Sequence, residues 1–224
     1  MAEITAQMVK SLRDRTGAGM MDCRNALAEA SGDEEAAVEI IQKKGLAKAA
    51  KKAGAIAAEG RIVSYIHSNQ RIGVLAEVNC QTDFVARNED FKAFVDMVGM
   101  QIASMTPMYV RKEDISADEL GSRREIFRAQ LEEEGAKKGK ATPAQALEKI
   151  LDGKMAKWLT EVCLVDQNSI QDEDKTIQLA QDELAAKIGE KISIRRFVRF
   201  ELGEGIEKKK SDLAAEVAEA LKGS

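Results

Sequence analysis

Ring-bearing side chains are scarce in this chain. Six Phe, two Tyr and one Trp make up 4% of its 224 residues, too few for the stacking surfaces on which single-stranded nucleic acid is held. Histidine occurs once and cysteine three times, which leaves little material for a metal centre or a histidine-dependent mechanism. Positive charge is not in excess either. A net charge of -4 and a pI near 5.4 remove the usual electrostatic footprint of a DNA or RNA binder and leave room only for a local basic stripe. No apolar run approaches the roughly 18 residues of a membrane span, and Met1-Ala2-Glu3-Ile4-Thr5 has neither the basic nor the apolar segment of a secretory leader. Cys23, Cys80 and Cys163 are odd in number and far apart, which fits reduced, buried thiols better than a disulfide framework. These absences set the expectation of a cytoplasmic protein that is not an enzyme, with no metal, cofactor or membrane partner.

The apolar share, 44%, suffices for a folded core, and the 32% of charged residues is interspersed rather than blocked. The first sixty residues read as helices. Thr5 can cap a helix carrying Met8, Val9 and Leu12, stopped at Thr16-Gly17-Ala18-Gly19. A second helix holds Met20, Cys23, Leu27 and Ala30, and a third holds Ala37, Val38, Ile40 and Ile41 before Gly45. Residues 1–45 thus form a small three-helix bundle, and 46–60, rich in Ala and Lys, read as a helical connector. From Arg61 the character changes. Arg61–His67 and Arg71–Asn79 are β-branched runs separated by Ser68-Asn69-Gln70, a hairpin pattern. Phe91, Phe94, Val95, Val98 and Ile102 then recur at helical spacing and predict a helix that ends before Pro107.

Met108-Tyr109-Val110 fits a short strand. Ser116 with Glu119 and Thr142 with Pro143 open two further helices, and the charged stretch Glu132–Lys140 between them fits either a solvated loop or an extended helical hairpin. Leu159–Val165 reads as a strand. Ile177, Ala180, Leu184 and Ile188 give a helix closed by Gly189. The strand Lys191–Leu202 places Ile192, Ile194, Val198, Phe200 and Leu202 on one face, with Ser193, Arg195, Arg199 and Glu201 on the other. A last amphipathic helix carries Leu213, Val217 and Leu221. The expected architecture is α+β: the bundle, a helix-covered antiparallel sheet core over 61–205, and a C-terminal helical module over 206–224.

Catalytic patterns are not found. Gly135-Ala-Lys-Lys-Gly139-Lys140 has the wrong glycine spacing for a phosphate loop, and no Ser or Thr follows its lysine. Gly17-Ala-Gly19-Met-Met-Asp22 fails as a dinucleotide fingerprint, because Asp22 replaces the third glycine and a helix precedes it. His67 stands at a strand end with no acid or nucleophile beside it. Unusual is Asn79-Cys80-Gln81-Thr82-Asp83-Phe84-Val85-Ala86-Arg87, between a strand and a helix. Two readings stand. Thr82 or Asp83 caps the coming helix while Phe84 tucks into the core, or the segment presents an acid and an apolar wedge to a partner from rigid supports.

Three blocks then resemble a known family. Leu12–Cys23 (LRDRTGAGMMDC), Glu77–Ala86 (EVNCQTDFVA) and Arg199–Lys208 (RFELGEGIEK) are similar, in order, to the signatures of the bacterial elongation factor Ts family. The resemblance implies a guanine-nucleotide exchange factor that binds elongation factor Tu, GDP-bound and nucleotide-free, and promotes GDP release so that GTP can rebind. It implies that the bundle is ubiquitin-associated-like and contacts the partner's nucleotide-binding domain. Thr82, Asp83, Phe84 and Val85 would dislodge the partner's Mg²⁺, with Leu12, Met20 and Met21 as secondary contacts. Met20 fits either bundle packing or presentation, and Met21, off the apolar stripe, fits presentation. The C-terminal helix within Ser211–Leu221 would touch the same domain. No second copy of the Asn79–Ala86 block occurs, so the chain resembles the short form of the family, for which a homodimer is expected, with the 61–205 core carrying dimerisation and exchange. The other reading is a non-catalytic helical scaffold or RNA-associated module, resting on Lys43–Lys52 and Lys208–Lys210; a solvated charged face accounts for both tracts without a nucleic acid partner.

Overall fold

A computed structural model describes residues 4–52, 54–137 and 143–206. Helix α1 (Ala6–Thr16) begins where the Thr5 hydroxyl accepts the Met8 amide at 3.2 Å. It stops at Gly17, whose φ of 68° lies in the left-handed region that glycine tolerates without strain. Helices α2 (Met20–Glu29) and α3 (Glu34–Lys51) follow, and the Asp33 carboxylate caps α3 by accepting the Glu35 and Ala36 amides. Leu12, Cys23, Ala26, Leu27 and Ala37 form the buried centre of this bundle.

Gly45 does not end the third helix, contrary to the reading from sequence. Helix α3 runs through it to Lys51, and the chain is non-helical from 54 to the first strand, so the expected connector over 46–60 is only partly helical. The reason is packing. A Cβ at Gly45 would lie 2.8 Å from the Cβ of Ala186 on α8 (Ile177–Ile188), so glycine lets two helix backbones approach closely.

Strands β1 (Glu59–Ile66), β2 (Ile72–Cys80) and β3 (Ser193–Glu201) form an antiparallel sheet in the order β1-β2-β3. One face of it carries Val63, Val74, Ala76, Val78 and Ile194, all buried in the core that the sheet shares with α5 (Glu89–Met105). Phe91, Phe94, Val95, Val98 and Ile102 of α5 are buried as their spacing predicts. Removing side chains of this size from water stabilises the fold by about 1.5–3 kcal/mol each. Between β2 and α5 lies one further turn of helix, α4 (Asp83–Ala86). Among the described residues no helix is long and apolar enough to cross a membrane.

Strand β3 departs from the expected face assignment. Ile194 pairs with Val78 and Arg196 with Glu77, so Arg195 is an extra residue in a β-bulge. Inserting one residue into a two-residue period moves everything after it to the opposite face. Ile192 and Ile194 are therefore buried, whereas Val198, Phe200 and Leu202 are exposed and Arg199 turns inward. The bulge also brings two guanidinium groups to one carboxylate: Arg195 Nη1 and Arg196 Nε lie 2.8 Å and 2.7 Å from the Glu77 oxygens. Hydrogen bonds from Arg195 and then Arg196 hold the Glu77 carboxyl at about 2, against an ordinary 4.5.

Helices α6 (Ala117–Lys137) and α7 (Ala144–Val162) form a helical hairpin. Of the two readings of the charged stretch the helical one holds through Lys137, with 138–140 outside the described residues. Arg124 and Arg128 of α6 both reach Glu148 of α7, at 2.7 Å and 2.9 Å. The strand expected over Leu159–Val165 is instead the end of α7 followed by a 3₁₀ turn at Leu164–Asp166. Leu151, Trp158 and Val162 are buried, and with the half-buried Met155 they continue a helical period that outweighs the local β-branched character. The expected strand at Met108–Val110 reduces to a single bridge between Tyr109 and Cys163. The C-terminal helix expected at Ser211–Leu221, like Lys208–Lys210 and Thr142, lies outside the described residues.

Two outcomes follow from these contacts. Gly45→Ala should lower the thermal midpoint despite alanine's better helix propensity, since overpacking costs about 1–3 kcal/mol. Adding Ala186→Gly should recover stability beyond the sum of the single effects, measured as a double-mutant cycle by calorimetry. The depressed Glu77 pKa contributes stability that is fully present above pH 4.5 and lost as pH falls through about 2. Urea midpoints of wild type and Glu77→Gln should thus differ by a constant amount above that window and converge within it; a gap unchanged by acid would contradict the assignment.

Candidate functional site at the turn between strand β2 and helix α5

The sequence-derived tip begins where β2 leaves the core. Cys80 is fully buried, and burial, its largest effect, pushes the thiol up to about 11; it is a packing group, not a nucleophile. Its Sγ donates to the Thr82 carbonyl at 3.2 Å. Thr82 then caps α4, its hydroxyl oxygen accepting the Val85 amide at 3.4 Å. The long helix α5 has its own cap in Asn88, which accepts the Asp90 and Phe91 amides and which the reading from sequence did not single out.

The first of the two readings of the tip holds only in part. Thr82 caps, as the structural one has it, but Phe84 does not tuck into the core: it is 79% exposed, while its neighbour Val85 is 8% exposed and packed in the main core. Consecutive helix residues point about 100° apart, so with Val85 turned into the core the ring of Phe84 is left on the outer side. Asp83, also partly exposed, pairs with Arg87 one turn on, at 3.0 Å. An exposed pair of this kind contributes little stability, about 0.3–0.5 kcal/mol, and is easily exchanged for another partner.

The tip is held by a segment far away in sequence. The Glu190 carboxylate, in the loop between α8 and β3, accepts the Gln81 amide at 3.2 Å, the Thr82 amide at 3.1 Å and the Thr82 hydroxyl at 2.8 Å. Beside it, the Lys191 amide donates to the Gln81 side-chain oxygen at 3.0 Å. Sequence reasoning missed Glu190 and Lys191. They lie about 110 residues from their partners, and no local pattern marks them.

Of the secondary residues, Met20 and Met21 are 58% and 63% exposed on the first turn of α2. Leu12 is fully buried, which corrects its assignment as a contact residue: its side chain fills the bundle centre and cannot be offered to a partner. The basic tract thought able to attract RNA is largely engaged. Lys43 pairs with Glu39, Lys44 with Glu29, and Lys52 donates to the Gly189 carbonyl. Among the described residues no group of three or more His, Cys, Asp or Glu is placed to hold a metal ion.

The arrangement suits recognition, not bond-making: an apolar ring, an adjoining carboxylate and an anchored base. The chain is also similar to known proteins. The family model described as Elongation factor TS matches residues 3–204. Among curated relatives, Elongation factor Ts of Myxococcus xanthus is 57% identical over 221 residues, covering 99% of both chains. Elongation factor Ts of Desulforamulus reducens is 55% identical over 222 residues, 99% of this chain and 100% of the relative. Elongation factor Ts of Carboxydothermus hydrogenoformans is 55% identical over 219 residues, 98% of each.

Proposed function

This chain belongs to the elongation factor Ts family, and from that premise we propose that it is a cytoplasmic guanine-nucleotide exchange factor for elongation factor Tu. It makes and breaks no covalent bond. The observation that carries the reading is the exposed Phe84 between an anchored Thr82 and a buried Val85. An exchange factor binds the nucleotide-free partner more tightly than the nucleotide-bound one, and linkage makes that preference a weakening of nucleotide binding. A thousandfold loss of nucleotide affinity requires about 4 kcal/mol of coupling. Burying one Phe supplies about 1.5–3 kcal/mol, so Phe84 acts with a second effect. That effect is loss of the partner's Mg²⁺, whose charge balances the phosphates.

In this scheme Phe84 enters the partner as a wedge and shifts groups that position the ion. Asp83, released from Arg87, either places a like charge near the phosphates or accepts a hydrogen bond from the displaced backbone. Met20 and Met21 add apolar contact from the bundle, residues 1–45, while the 61–205 core carries the exchange tip. Soft, unbranched methionine side chains adapt well to such a surface.

The same core also offers a second copy of itself a face. Ile62, Ile66, Leu75, Val198, Phe200 and Leu202 are exposed, and all but Leu202 lie on the outer side of the three strands. The Glu77–Arg195–Arg196 cluster borders them. A contiguous apolar sheet face of this kind is stable when stacked on another sheet, and two copies related by a two-fold axis would cover it symmetrically.

Phe84→Ala should slow GDP release from elongation factor Tu by about tenfold at saturating factor, the equivalent of about 1.4 kcal/mol, while the variant still binds. Stopped-flow release of a fluorescent GDP measures this, and an unchanged plateau rate would contradict the wedge. In sedimentation equilibrium the wild-type chain should run at twice 24.5 kDa. Phe200→Asp should shift it to a single chain; a monomeric wild type would rule out the sheet-to-sheet dimer.

A further inference from the structure

The C-terminal end of α8 gathers contacts from both the bundle and the tip. Lys187 pairs with Asp90 of α5 at 2.8 Å, and its methylenes lie under the Gly17 turn that leads into Met20 and Met21; a Cβ at Gly17 would stand 2.7 Å from its Cε. Gly189 closes the helix with φ 81°, and its carbonyl accepts from Lys52 at the end of the bundle. Lys191 donates through Nζ to the Ala55 carbonyl at 3.0 Å and through its amide to Gln81. Between them stands Glu190, half-buried, with three hydrogen bonds to Gln81 and Thr82.

We infer that Glu190 is a positioning residue for nucleotide exchange, fixing the Gln81–Phe84 tip against the junction that also carries the N-terminal bundle. This rests on the exchange reading above. A carboxylate that accepts two adjacent amides and the hydroxyl of the capping Thr82 ties the base of the tip at three points. Bonds of this kind, with an ionised acceptor, are about twice as strong as neutral ones. Phe84 itself has almost no packing of its own, so its direction is set by Thr82 behind it and Val85 beyond it. Val85 is held by the core, and Thr82 by Glu190. The ring delivers its wedge only from a base that does not yield, because a tip free to swing loses in orientation what it gains in contact. Glu190 does not touch the partner in this scheme; it acts through Thr82.

Glu190→Gln keeps the shape but removes the charge: an amide oxygen still accepts the Gln81 and Thr82 amides, more weakly than a carboxylate does, and the NH₂ meets a Thr82 hydroxyl that can no longer donate to it. Two readouts on the full-length variant separate the possibilities. Hydrogen exchange of the chain alone should show the Gln81 and Thr82 amides opening about tenfold faster, with the α5 amides unchanged. Stopped-flow GDP release from elongation factor Tu should show a plateau rate reduced severalfold, with the half-saturating concentration changed less than twofold. A residue that merely supported the fold would move the melting temperature and the half-saturation instead. Amides as protected as in wild type would overturn the inference, and so would loosened amides with an unchanged plateau. If the wild-type chain does not accelerate GDP release, the exchange reading fails, and the role assigned to Glu190 in exchange falls with it; the amide readout then still decides whether it anchors the tip. Should Glu190→Gln fail to fold, Glu190→Asp keeps the charge but draws the carboxylate one methylene short of the Gln81 and Thr82 donors. It should loosen the Thr82 amide and lower the plateau in the same way, and wild-type values for both would overturn the inference.

Discussion

Cys80 and Phe91 are both fully buried, and the chain between them must leave the core and return to it. That constraint shapes the rest of the molecule's working end. A backbone outside the core needs partners for its polar groups, and here they come from Thr82, Asn88 and Glu190. A short excursion also needs an apolar anchor in its middle, which is Val85. With Val85 inward and only one turn of helix available, Phe84 is left on the outer side. Its exposure is therefore built into the path of the chain and is not an accident of surface composition.

The supports of this excursion are shared with the fold as a whole. Helix α8 shares the main core with α5 and the sheet and meets α3 through the Gly45–Ala186 contact. The loop that follows α8 straps the tip before the chain enters β3. A second polar network pins the opposite end of the core. Gln101, fully buried, donates to Gln167 and to the Asn168 carbonyl and accepts the Ile170 amide, so the loop after the 3₁₀ turn is tied to α5 with its polar atoms satisfied. Surface ion pairs are numerous but individually weak. The Glu77 trio differs because its carboxylate is largely covered and faces two cations at once.

What was legible in the sequence was what depends on neighbours within about two turns. The Thr5 and Asn88 caps, the left-handed stop at Gly17, the stripe of α5 and the end of α8 at Gly189 all follow from local spacing, although Asn88 went unremarked beside Thr82. Three features escaped for one physical reason: they are settled between distant segments. Gly45 looks like a helix breaker until Ala186 is brought against it. The bulge at Arg195 becomes visible only in register with Glu77, and without it the outer and inner residues of β3 are exchanged. Glu190 is one charged residue among many until it meets Gln81 and Thr82. Leu12 shows the converse, since a signature block mixes packing and surface residues and only burial tells them apart. The odd mix of acid and ring between a strand and a helix marked the tip in the sequence; the geometry supplied the division between an exposed Phe84 and a buried Val85.

In the proposed scheme Phe84 works through the partner's Mg²⁺ and not merely as added contact area. GDP release from elongation factor Tu, driven by the wild-type and Phe84→Ala chains at saturation, tests it when measured in Mg²⁺ and again after chelation. If the ring acts by displacing the ion, the wild-type advantage over Phe84→Ala should fall towards unity once the ion is gone. An advantage of the same size with and without Mg²⁺ would contradict the account.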